Sequence, residues 1–147
     1  MSINSFSLVM KYWDAKSNCA QSVSCGLLDS YNLEGKEIFY PAFIHFGAGF
    51  GEYSVCGAIS GALSAIGLIL SKNGLDDDKI RDLSNQFKRT LTKKFDSLLC
   101  KDYMKTFFSE SGEINWNLKG RHEKCTEIVQ KAYEVAKEII DSCLGNS

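Results

Sequence analysis

At 147 residues the chain is long enough to bury a core without staples, and it suits one domain spanning 1–147. Seventeen basic residues against eighteen acidic ones give a net charge of −1, with 44% of residues apolar and 24% charged. That balance leaves no basic footprint for nucleic acid and no polybasic segment for an anionic membrane. Met1 to Met10 lack the charged start and long apolar core of a signal peptide, so an intracellular, cytoplasmic setting is expected.

Cys19, Val23 and Leu27 recur every fourth residue, and Ala20 and Leu28 widen that face, which predicts a first helix from about Ser7 to Tyr31. Cys25 falls off the stripe and reads as a flank residue. Asn32 to Gly35 supplies a helix stop and turn. The apolar run from Glu37 to Phe46 contains the only proline, Pro41, which disfavours helix at Tyr40 but suits a first helical turn. A short apolar helix is therefore expected to begin near Pro41, with His45 as a satisfied core histidine rather than a ligand. Gly47, Gly49 and Gly51 then alternate before the next helix. Such a turn can present backbone N–H groups to an anion. No strand precedes it, so a plain interhelical turn is the expectation.

Between Glu52 and Lys72 there is no charged residue, and the run predicts a buried central helix over 52–71. Gly57, Gly61 and Ala65 recur every fourth position, a stripe along which another backbone can approach closely. Each glycine costs roughly 1 kcal/mol against alanine in a helix interior, so this helix needs neighbours around it. A transmembrane span is the competing reading, since the run reaches the lower edge of what a bilayer requires. Acidic residues on one flank, no aromatic belt on the other and an amphipathic remainder favour the centre of a helical bundle.

Asn73-Gly74 ends that helix, and Asp76 to Asp78 cap the next with an acidic first turn. Ile80, Leu83, Phe87, Leu91 and Phe95 mark its buried stripe, and Lys88, Arg89, Lys93 and Lys94 crowd its solvated end. Cys100 stands where this helix should finish, in an irregular segment. Ser109 to Asn117 reads as a polar loop carrying Trp116. The last helix covers roughly Arg121 to Cys143, with Cys125, Ile128, Ala132, Val135, Ile139 and Cys143 on one face. Strand-like alternation is absent. The expected fold is all-α, a single-domain bundle of about five helices around 52–71.

Six cysteines remain to be explained: Cys19, Cys25, Cys56, Cys100, Cys125 and Cys143. No two form a Cys-x-x-Cys pair, so any joint site must be assembled from separate segments. The run Cys56-Gly57-Ala58-Ile59-Ser60-Gly61 resembles the signature of the C_GCAxxG_C_C family, for which a redox role is inferred. Asn18-Cys19-Ala20-Gln21 upstream, the Gly-rich turn, Leu98-Leu99-Cys100 and Cys125 with Val129 agree with it in order and spacing, over about residues 15 to 140. The resemblance implies a small helical redox protein whose site residues are Cys19, Cys56, Cys100 and Cys125. Cys25 and Cys143 match no family position.

Three functions follow as expectations. The first is thiol–disulfide chemistry with a small thiol or a redox partner, by cysteines brought together from separate helices. In it Cys56, near the start of the central helix, is the attacking thiolate, because a helix N-terminus lowers a thiol pKa. Cys100, in a segment able to move, resolves the mixed disulfide. The second is a metal site, an iron–sulfur cluster or zinc held by Cys19, Cys56, Cys100 and Cys125, with His122 one helical turn before Cys125. The third is a non-catalytic helical adaptor or binding module, with the small-residue stripe and the apolar 38–51 segment lining a partner groove or a small-molecule pocket. No convergent carboxylate pair supports hydrolytic acid–base catalysis.

Overall fold

The computed structural model describes residues 6–145, and among them the fold is all-α. Seven α-helices follow one another: α1 (Ser7–Asp14), α2 (Cys19–Ser30), α3 (Lys36–Ala42), α4 (Gly57–Lys72), α5 (Asp77–Phe95), α6 (Cys100–Tyr103) and α7 (Arg121–Leu144). The only pairing of extended backbone among the described residues is two isolated antiparallel bridges, Val55 with Leu99 and Phe108 with Ile114. None of these helices is long and apolar enough to cross a membrane.

The count exceeds five chiefly because the segment 7–31 is two helices rather than one. Asn18 starts the second. Its side chain accepts from the Gln21 backbone N–H at 2.8 Å, and the Gln21 side chain accepts from the Asn18 N–H at 3.0 Å. This reciprocal capping box satisfies donors that a continuous helix would have used internally. Lys16, with φ of 70°, makes the corner between α1 and α2. The spacing Asn18-x-x-Gln21 carried that signal, but the apolar repeat across it reads as unbroken.

Every residue of α2 from Ala20 to Leu28 is buried. A helix enclosed on all sides has no polar face, so its periodicity does not separate core from flank: Cys25 is fully buried, not a flank residue. Pro41 lies in the last turn of α3 instead of opening a helix, and the helix stops one residue later. His45 is exposed, not a core histidine. The central helix begins at Gly57, five residues later than expected, because the run before it takes up left-handed backbone.

That helix, α4, packs against α2, α5 and α7. The small-residue stripe sets the closest of these contacts. A Cβ on Gly61 would fall 2.5 Å from the Ala20 carbonyl oxygen, and one on Gly57 would fall 2.5 Å from the Cys19 Sγ. Gly61 cannot hold a larger side chain without moving α2, and Gly57 cannot without displacing the Cys19 sulfur and the Phe46 carbonyl. Ile59, Ile66, Ile69 and Leu70 carry the rest of α4 into the core, meeting Leu27 and Leu28 of α2, Phe87 and Leu91 of α5, and Ile128 and Ile140 of α7. In α5 the Asp76 side chain accepts from the Lys79 N–H at 2.9 Å, the expected cap, and the expected stripe is fully buried only at Phe87 and Leu91. The last helix matches its expected span, burying Ile128, Ala132, Val135 and Ile139.

Two glycines of α4 separate packing from propensity. Gly61→Ala places a methyl against the backbone of α2 and should destabilise the protein by about 1–3 kcal/mol. A Cβ on Gly67 would meet nothing within 4 Å. Gly67→Ala should stabilise the helix by about 0.5–1 kcal/mol. Thermal or urea unfolding of the two variants should therefore move in opposite directions.

Candidate functional site

Four helix beginnings meet around one cavity of about 520 Å³. Cys19 is the first residue of α2, Cys56 is the residue that precedes α4, Cys100 is the first of α6, and Cys125 lies in the second turn of α7. All four line the cavity, whereas Cys25 and Cys143 do not. Residues separated by the length of the chain are thus brought to one place by α2, α4 and α7, whose packing fixes their starting points.

Local backbone explains two of these positions. The bridge between Val55 and Leu99 is closed by Cys56 N–H donating to the Leu98 carbonyl at 2.9 Å and Cys100 N–H donating to the Ser54 carbonyl at 2.7 Å. Cys56 and Cys100 therefore flank a single clamp. Cys100 is 7% exposed and its backbone is pinned, contrary to the expectation of a segment free to move. Cys56 lies ahead of the first turn of α4, not inside it, and is 8% exposed.

The Gly-rich turn explains Cys19. Ala48, Gly49, Phe50, Gly51 and Tyr53 all adopt positive φ. Gly49 is required there, since a Cβ would fall 2.4 Å from the Ser54 nitrogen. Ala48 and Phe50 hold the same region at a cost of about 1 kcal/mol each. The result aims the Ala48 N–H at the Cys19 sulfur, which also receives the Ala20 N–H at the start of α2. Asn18 holds turn and helix together, its side-chain amide donating to the Phe43 carbonyl at 2.8 Å and the Ile44 carbonyl at 3.2 Å. The turn is therefore more than a plain connection: it presents a donor to a sulfur.

These donors decide which thiol ionises. The Cys56 thiol hydrogen-bonds the Cys19 sulfur, and this, opposed by burial and helped by the Ala20 and Ala48 N–H groups, lowers Cys19 to about 7. The same hydrogen bond, followed by burial and the charge on Cys19, holds Cys56 well above the ordinary thiol value. The two share one proton, and the negative charge rests on Cys19. The sequence points to Cys56 as the low-pKa thiol; here Cys56 precedes its helix and is raised, while Cys19 sits at a helix N-terminus with the Ala20, Cys19 and Ala48 N–H groups on its sulfur and is lowered. Burial pushes Cys100 up to about 12. It also raises Cys125, against the nearby Arg121. The Cys125 thiol points at the Met104 sulfur, 3.7 Å away.

His122 also lines the cavity, its ring stacked on Trp13 with centroids 5.4 Å apart. Trp13 donates to Thr126 Oγ1 at 2.8 Å and so ties α1 to α7 at the rim. Among the described residues no three His, Cys, Asp or Glu side chains close on a point where a metal ion would be held. The four cysteines share the walls of one cavity.

A family model described as "Putative redox-active protein (C_GCAxxG_C_C)" matches residues 17–139. The chain belongs to the C_GCAxxG_C_C family. Comparison with curated proteins and with solved structures returned no significant match. The family match runs from just before Cys19 into the last turns of α7, and so includes every cavity cysteine. Ala48, Gly57 and Trp13 are contributions that reasoning from cysteines alone passes over. The glycines of the turn and of the C_GCAxxG_C_C signature were the available sign, since Gly49, Gly57 and Gly61 stand where a backbone or a sulfur approaches too closely for a Cβ.

The charge assignment has a direct test in pH-dependent alkylation followed by peptide mapping. One cysteine, Cys19, should react with a midpoint near 7, against the ordinary thiol value of 9.0. Cys56→Ala removes the donor and should raise that midpoint by about one unit, while Cys56→Ser keeps a hydroxyl donor and should raise it less. The native state holds Cys19 ionised where the unfolded chain holds it protonated. Its contribution to stability is therefore present above the unfolded thiol value and is lost as pH falls through about 7.

Proposed function

We propose that this protein carries out thiol–disulfide exchange with Cys19 as the attacking thiolate and Cys56 as the resolving thiol. The observation that carries the reading is the meeting of Cys19 and Cys56 in one cavity, where a Cβ on Gly57, next to Cys56, would fall 2.5 Å from the Cys19 sulfur and each thiol shifts the ionisation of the other. A thiolate held by backbone N–H groups, with a protonated thiol beside it, is the reduced half of a dithiol couple. Membership of a family described as redox-active supports the same reading.

The exchange has two steps. The Cys19 thiolate attacks one sulfur of a substrate disulfide, forming a mixed disulfide and releasing the other sulfur as a thiolate. Cys19 then no longer carries the charge that kept Cys56 protonated. The Cys56 proton passes to the departing thiolate, and the Cys56 thiolate attacks the Cys19 sulfur and expels the second substrate thiolate, which takes a proton from solvent. One substrate S–S bond breaks and one Cys19–Cys56 bond forms. Two electrons pass from protein to substrate. The hydrogen bond thus holds the resolving thiol inactive until the first step has occurred.

Cys100 and Cys125 are held protonated in the same cavity and take no part in this pair. The non-catalytic alternative draws less support, because Gly61 of the small-residue stripe is covered by α2 and the cavity that Gly57 and residues 47–49 do line also holds four cysteines.

Oxidation of the anaerobically purified, reduced protein by a small disulfide, with peptide mapping, tests the assignment. A Cys19–Cys56 disulfide should form, with a mass loss of two hydrogens. It should be absent in Cys19→Ser and Cys56→Ser and present in Cys25→Ser and Cys143→Ser. A disulfide joining other cysteines, or thiols blocked by bound iron or zinc, would overturn it.

A further inference from the structure

The walls of the cavity away from its sulfurs are not neutral in character. Lys16 and Arg121 both line it, and neither forms a salt bridge among the described residues. Asp14 is the one carboxylate among the lining residues. Arg121 is held in place, its guanidinium 5.0 Å above the Trp116 ring and its Nε donating to the Trp116 carbonyl at 3.1 Å. That contact occupies Nε, and the planar fork lies beside the Cys125 thiol, where its remaining donors face the cavity. Trp13 and His122, stacked with an interplanar angle of 8°, add a flat wall.

Size points the same way. About 520 Å³ lies within the range of small-molecule sites, and Cys56 is nearly enclosed within it. A disulfide on the surface of a folded protein would have to insert a loop to reach the sulfurs. A small molecule can enter whole.

Resting on the thiol–disulfide reading above, we propose that the cavity takes a low-molecular-weight disulfide bearing a carboxylate, with Arg121 and Lys16 receiving the carboxylate while the disulfide meets Cys19. The reaction is the balanced exchange already given, with the small disulfide reduced to two thiols and the Cys19–Cys56 pair oxidised. Arg121 and Lys16 bind and position; they take no part in the bond changes.

The test compares rate constants for oxidation of the reduced protein by four probes: oxidised glutathione, hydroxyethyl disulfide, cystamine and oxidised thioredoxin. The small probes share a reacting group and differ in charge, being anionic, neutral and cationic. Each rate is divided by the same probe's rate with dithiothreitol, which removes intrinsic reactivity. Oxidised glutathione should exceed hydroxyethyl disulfide by roughly tenfold, cystamine should fall below both, and the difference should shrink with added salt. In Arg121→Gln the anionic-to-neutral ratio should fall by about threefold or more, and further in Arg121→Gln with Lys16→Gln. Arg89→Gln, on the exposed face of α5 and outside the cavity, should keep the ratio.

Corrected rates equal across the small probes, or fastest with oxidised thioredoxin, would overturn the substrate class while leaving the Cys19–Cys56 exchange standing. If no probe produces a Cys19–Cys56 disulfide, the exchange reading itself falls, and the substrate class with it. Circular dichroism of the variants separates loss of binding from loss of fold.

Discussion

The site depends on the close packing of α2 against α4. Gly61 faces the Ala20 carbonyl and Gly57 faces the Cys19 sulfur, each at a distance that a methyl group would occupy. Glycines in a helix interior weaken the helix as a local structure. Here they let two backbones pack without side chains between them, so the start of α2 and the start of α4 arrive together. Cys19 and Cys56 stand at those two starts. The helix that is weakest by propensity is therefore the one that the other long helices enclose, and its small residues place the sulfurs.

A second constraint orients the charge. Asn18 is at once the cap of α2 and the anchor for the carbonyls of Phe43 and Ile44. Through it the left-handed turn after α3 is held against the helix N-terminus, with Gly47 packed on the Asn18 side chain. Left-handed backbone at Ala48 and Phe50 is unfavourable in isolation. It persists because the surrounding contacts over-determine it, and it directs the Ala48 N–H onto a sulfur that burial alone would keep neutral. Strain in the turn and ionisation of Cys19 belong to one arrangement.

The division of roles between two adjacent thiols follows from which receives hydrogen bonds and which gives one. Cys19 receives them from backbone and from Cys56, so its charged form is favoured; Cys56 gives one, so its neutral form is favoured. Neither residue would hold its pKa without the other. A pair of this kind is poised only while Cys19 carries charge, which couples the state of the second thiol to the reaction of the first.

The sequence by itself determined the fold class, the span of α7, the cap of α5, the enclosed character of α4 and the cysteines that match the family. Each rests on local information: periodicity, an acidic cap, an uncharged run, a spaced signature. The break between α1 and α2 was also present, as Asn18 three residues before Gln21, but the apolar repeat concealed it because α2 is buried on every side and shows no polar face. Which thiol ionises was not legible. It depends on the Ala48 N–H reaching Cys19 across a turn, on Cys56 lying one residue ahead of its helix, and on the Gly57 gap that lets the sulfur in. Likewise Cys100, read as mobile, is fixed by the bridge that joins its neighbour Leu99 to Val55, a partner far away in the chain. Hydrogen bonds between distant segments set these features, and only the tertiary structure decides which segments meet.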